Sequence, residues 1–196
     1  MQALLTAARD PAFPAEPVLV LSNVADAAGL GLTDDVPTAV VPHRGEPDRE
    51  THERKVAAAI DASGATLVCL AGYMRRLTPF LVRRYAGRMI NIHPSLLPSF
   101  PGLDTHARAL AAGVRLHGCT VHFVSEGVDE GPIIAQAAVP VAPDDTEARL
   151  AARVLAQEHL LYPRALALVA TGRARVVDGR CVVDAAPPSG AFANPA

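Results

Sequence analysis

Met89-Ile90-Asn91-Ile92-His93-Pro94-Ser95-Leu96-Leu97-Pro98 is an apolar stretch that ends in two polar side chains and is stopped at once by proline. In an extended chain, residues two apart share a face, so Ile90 and Ile92 face a core while Asn91 and His93 point together to the opposite side. An amide NH₂ donates to an oxygen that gains charge. An imidazole gives or takes a proton near neutral pH. That pairing suits attack on a carbonyl carbon. It also fits an Asn and a His satisfied by backbone groups at a strand end, and the residues alone leave both readings open.

Working outward, residues 66–72 form an apolar strand that runs into Tyr73-Met74-Arg75-Arg76-Leu77, at the carboxyl end where α/β sheets carry their sites. Residues 18–23 and 38–42 read as earlier strands, with a short helix over 25–32 between them. Residues 48–62 have helical period: Asp48 caps the start, Val56, Ala59 and Ile60 share a face, and Ser63-Gly64 ends it. A helix over 78–85 then leads to the strand ending at His93. Strand, helix, strand, helix, strand at this spacing predicts an α/β fold with a mostly parallel sheet and helices on both faces.

Downstream the period changes. A short helix through Ala112 is expected, capped by Asp104 or Thr105. Strands over 119–124 and 133–139, joined by a short polar link, predict antiparallel pairing in the C-terminal half. The longest helix spans 145–169, capped by Asp144 or Asp145 and bent at Pro163, with Leu150, Val154, Leu155 and Leu161 against the sheet. Asp178-Gly179 marks a hairpin over 175–183. A first short helix covers residues 1–9. One domain over 1–184 is expected, followed by a disordered Ala/Pro/Gly-rich tail over 185–196.

The chain has 196 residues, half of them hydrophobic, enough for one substantial core. A net charge of −2 gives no electrostatic footprint for nucleic acid or an anionic membrane. Cys69, Cys119 and Cys181 are scattered, with no CxxC pattern, and read as buried thiols of a reducing compartment. His106, His117 and His122 lack a tight ligand spacing and read as structural histidines, so no metal is expected. No apolar run has the length of a membrane span and no basic-then-apolar segment opens the chain, which predicts a soluble cytoplasmic protein.

Asn-Ile-His-Pro-Ser-Leu-Leu-Pro (91–98) followed by Pro-Gly-Leu-Asp-Thr-His (101–106) resembles the phosphoribosylglycinamide formyltransferases. Ala71-Gly72-Tyr73-Met74-Arg75 is similar to that family's folate loop, and residues 118–132 to its signature segment. Gln157-Glu158-His159 with Tyr162-Pro163 is similar to its late helix. The resemblance implies formyl transfer from 10-formyltetrahydrofolate to the amine of glycinamide ribonucleotide in purine synthesis, without a metal, by a monomer or homodimer. It implies Asn91 and protonated His93 as donors to the formyl oxygen, with Asp129 as the carboxylate partner of His93, favouring its charged form. It further implies Arg49, Met74, Arg75, Arg76, Leu77, Asn91, Ser125 and Val128 as folate contacts, and Glu158 as the acid near the glycinamide amine. By themselves, Arg49, Arg75 and Arg76 read as solvated charges.

The family begins with an apolar strand and a Gly-rich loop whose backbone N–H groups hold the substrate phosphate. Here Met1-Gln2-Ala3-Leu4 aligns with the helix after that loop. Without the strand, facing sheet edges are expected to carry unpaired N–H and C=O groups. One expectation is that Met1 is an internal methionine and the native chain starts upstream; the other is a shortened protein that binds folate without transferring the formyl group. A formyltetrahydrofolate hydrolase, or a formyltransferase for another amine, is the alternative within the same chemistry.

Overall fold

The computed structural model describes residues 1–33 and 36–184; the tail expected over 185–196 lies outside the described residues. The elements begin with α1 (Gln2–Ala7), β1 (Val20–Ser22), a 3₁₀ turn (Ala28–Leu32), β2 (Thr38–Val40), α2 (Arg49–Ala62), β3 (Val68–Leu70) and α3 (Pro79–Arg84). They continue with β4 (Met89–His93), α4 (Thr105–Ala111), β5 (Leu116–Phe123), β6 (Ile133–Pro140), α5 (Glu147–Ala170), β7 (Ala174–Val177) and β8 (Arg180–Val183).

Alternation along β4 sets the layers. Ile90 packs into a core with Val121, Phe123, Tyr162, Ala165 and Leu166, under α5. Its neighbour Met89 packs with Val56, Ala57, Ile60, Leu81 and Tyr85, under α2 and α3. Successive strand residues point to opposite faces, so helices cover both, and the fold is α/β. Pairing is parallel for β1–β2 and β3–β4, then antiparallel for β4–β5 and β5–β6, as the change of period predicts. Fully buried residues such as Leu150 and Val154 each contribute about 1.5–3 kcal/mol by leaving water.

The strands fall into a β1–β2 pair, a four-stranded sheet ordered β3-β4-β5-β6, and a β7–β8 hairpin. Val20 N–H bonds Pro37 and Val68 N–H bonds Arg88. The intervening residues Leu19, Leu21, Leu67 and Cys69 therefore turn their backbone groups the other way. Those sides line a cavity of about 670 Å³ between the two open edges. β1 and β3 are three residues long, shorter than their apolar runs, and each has a ladder partner on one side only.

Several local expectations are corrected. Asp48 does cap α2, accepting the Thr51 N–H at 2.7 Å, but α5 starts two residues late and is capped by Thr146, which accepts the Arg149 N–H. Asp145 instead accepts the Ala142 N–H and pairs with Arg153 at 2.8 Å. Asp104 precedes α4 at φ 55 in the left-handed region and its side chain makes no cap bond; a capping residue needs extended dihedrals to reach back. Leu155 is 47% exposed, on the rim of a cleft rather than on the sheet. Of the three thiols only Cys119 is buried; Cys69 and Cys181 are half-buried. The Asp178-Gly179 turn forms as predicted, both residues having positive φ.

Candidate active site

His93 ends β4 and is 6% exposed. Its Nε2–H donates to the Phe100 carbonyl at 3.0 Å, and its Nδ1 lies 3.3 Å from Asp129 Oδ2. Both ring nitrogens thus face acceptors. A neutral imidazole has one N–H and serves one of them; the imidazolium serves both. Asp129 sits in the link between β5 and β6 at φ 57, a conformation that Asp tolerates better than most side chains. The same Oδ2 accepts the Gly102 N–H at 2.8 Å, which ties the segment after β4 to the carboxylate.

Asn91 shares the His93 face of β4, as alternation requires, and stands opposite His122 in the antiparallel register. His122 Nδ1–H donates to the Phe123 carbonyl at 2.9 Å. Burial pushes the His122 imidazole down from its ordinary range, against the opposing effects of that carbonyl and Asp129. With Nδ1–H committed to that carbonyl, the neutral ring leaves Nε2 as an acceptor, 3.4 Å from Asn91 Nδ2 and 3.8 Å from Asp129 Oδ1. One Asn91 N–H is directed to His122, and the Asn91 side chain lines the cleft described next. His122 is thus a member of the site that reading the sequence as "structural histidine" misses. Laying residues 119–124 antiparallel to β4 would have found it.

A cleft of about 730 Å³ opens in front of these groups. Met74, Arg75, Arg76, Leu77, Ser125, Val128 and Glu158 all line it, together with Asn91, His93 and Asp129. Arg49 does not line it. That residue is exposed on the first turn of α2 and acts only at a distance, as a minor influence lowering the Tyr73 hydroxyl that burial raises. Burial pushes the Glu158 carboxyl up, opposed by the Met1 amino group. His106 and Asp104, which the sequence reads as a structural histidine and a helix cap, also line the cleft. Among the described residues, no group of three His, Cys, Asp or Glu side chains is arranged to hold a metal, and no helix is long and apolar enough to cross a membrane.

Residues 1–166 match the Formyl transferase family. The chain belongs to that family. Among formyl transferase relatives, it is 40% identical over 198 residues to the phosphoribosylglycinamide formyltransferase of Escherichia coli, covering 99% of this chain and 93% of the relative. It is 46% identical over 180 residues to the trifunctional purine biosynthetic protein adenosine-3 of Drosophila melanogaster, covering 90% of this chain; the match spans only 13% of that longer protein. The crystal structure of glycinamide ribonucleotide transformylase 1 from Symbiobacterium toebii superposes with a TM-score of 0.90 at 44% identity, covering 93% of this chain and 87% of that one.

Proposed function

We propose that this formyl transferase moves the formyl group of 10-formyltetrahydrofolate to the primary amine of glycinamide ribonucleotide, in purine synthesis. The observation that carries the reading is the convergence of Asn91, His93 and Asp129 on one cleft of about 730 Å³. When bound, 10-formyltetrahydrofolate supplies the formyl carbon. The cleft suits such a ligand on two counts. Met74, Leu103 and Val128 expose apolar side chains at its rim, Met74 to 75%, as an aromatic ring system requires. Arg75 and Arg76 line the same cleft and bring positive charge for the carboxylates of the folate's glutamate.

The reaction forms a C–N bond to the amine, breaks the C–N bond to the folate nitrogen, and moves one proton from the first nitrogen to the second. Asn91 donates its free N–H to the formyl oxygen as negative charge develops there. One such preorganised donor is worth about 10²–10³ in rate. Protonated His93 donates from Nδ1, the nitrogen beside Asp129 in the cleft, to the same oxygen while its Nε2–H stays on the Phe100 carbonyl, and Asp129 balances the imidazolium charge. The pair also serves as the proton carrier, a role worth roughly 10²–10⁴. Glu158, kept partly from water, receives the incoming amine. Met74, Arg75, Arg76, Leu77, Ser125 and Val128 hold the folate, with Arg49 acting from outside the cleft.

The test is turnover of 10-formyltetrahydrofolate by the native protein with and without glycinamide ribonucleotide. Deformylated folate forming only when the amine is present supports transfer. Formate release without it would assign a hydrolase instead.

A further inference from the structure

Thr120 stands opposite His93 in the β4–β5 register and opposite Gln136 in the β5–β6 register. It is fully buried. Its hydroxyl is saturated: Oγ1 donates to the Ser95 carbonyl at 2.7 Å and accepts from Leu97 N–H at 3.0 Å and from Gln136 Nε2 at 2.9 Å. One donor and two acceptors are all that a hydroxyl has. Gln136 Nε2 also donates to the Leu97 carbonyl at 2.8 Å. Two side chains on neighbouring strands thus grip both backbone groups of Leu97 and the carbonyl of Ser95.

The gripped segment is the one that leaves His93. Ser95 continues the chain of contacts, its Oγ donating to the Ser99 carbonyl at 2.6 Å. The next residue, Phe100, turns through φ 55, a conformation uncommon for a bulky side chain. Its carbonyl holds His93 Nε2, and Gly102, two residues on, holds Asp129. Neither Thr120 nor Gln136 is in the cleft lining, so neither touches substrate.

We propose that Thr120 and Gln136 are positioning residues for the proton-handling pair, acting through segment 95–102 to fix the His93 ring against Asp129. The inference rests on the proposed formyl transfer, since it is that reaction which the positioning serves. Gln136 makes it accessible to experiment: it lies on the outermost strand, largely exposed apart from its bonded amide, so replacing it spares the core.

The experiment compares wild type with Thr120→Val, Thr120→Ser and Gln136→Met, measuring kcat, KM for both substrates, and the ¹⁵N resonances of the His93 ring. The ring resonances report the Nε2 hydrogen bond irrespective of turnover. Small misplacements of reacting groups cost up to about 100-fold, so a kcat loss of about 10- to 100-fold is expected in Thr120→Val and about 3- to 10-fold in Gln136→Met, with both KM values nearly unchanged. Thr120→Ser keeps the hydroxyl and restores kcat. The His93 Nε2 resonance moves in Thr120→Val and Gln136→Met and returns in Thr120→Ser. Wild-type kcat and an unmoved resonance in Gln136→Met overturn the inference even if Thr120→Val does not fold. So does a loss shared equally by kcat and both KM values. A wild type without transfer, whose variants still shift the His93 resonance, leaves the positioning intact and removes only the reading of what it serves.

Discussion

Asp129 Oδ2 lies 3.3 Å from His93 Nδ1 and accepts the Gly102 N–H at 2.8 Å, so one carboxylate oxygen both faces the imidazole and anchors the segment that follows it. Asp129→Asn separates these roles, because the amide oxygen still accepts from Gly102 while the charge is gone. The expected result is a fall in kcat of about 10²–10⁴ with the Gly102 amide still protected from exchange; Asp129→Ala loses both. A wild-type kcat in Asp129→Asn would sink the proton-carrying role.

Asn91 is held by His122 and its side chain lines the cleft. Asn91→Ala should lower kcat by about 10²–10³, the usual cost of one oxyanion donor. His122→Leu removes only the acceptor that orients the amide and should cost less, about tenfold for one lost neutral hydrogen bond. Steady-state kinetics on the two variants settles the order; a larger loss in His122→Leu would make His122 itself the reacting group.

Burial, with smaller contributions from His106 and His93, pushes the His117 imidazole down to about 4, against the opposing Pro94 carbonyl. The unfolded chain's imidazole titrates near about 6.5. Between those values the unfolded state binds the extra proton, so stability is fully present above the upper value and is lost as pH falls toward the lower one. Urea unfolding at several pH values should show this decline, and His117→Gln should flatten it. His122, also pushed down by burial, leaves a residual slope. An unchanged slope in His117→Gln would contradict the assignment.

Gly131 tests the packing behind the site. A Cβ there would lie 1.7 Å from the Phe123 carbonyl oxygen and 3.2 Å from His122 Nδ1. The obstacle is backbone, so Gly131→Ala should cost at least about 1–3 kcal/mol in denaturant unfolding, the usual range for overpacking. Gly31, where a Cβ meets nothing within 4 Å, is the control; equal stability of the two variants would refute the close approach.

The sequence makes legible what is local. Alternation along Met89–His93 requires Asn91 and His93 to share a face, and they do. Asp129, remote in sequence, is indicated by family resemblance rather than by pattern. What escaped depends on register or backbone. His122 joins Asn91 only through antiparallel pairing, and Phe100 contributes a carbonyl that no side-chain motif announces. The α5 cap is ambiguous in the sequence because Asp144, Asp145 and Thr146 are consecutive polar residues; the first two are taken by Arg149 and Arg153. Arg49, expected beside the folate, stands on an exposed helix turn outside the cleft lining.

The central claim is tested most directly by following the carbon itself. Native protein is given 10-formyltetrahydrofolate labelled with ¹³C in the formyl group together with glycinamide ribonucleotide, and the label is traced by NMR. The account predicts that the label appears as a formamide on the glycinamide amine, and that His93→Ala slows this by orders of magnitude. Label released as formate, or left on the folate while the ligand is bound, would contradict it.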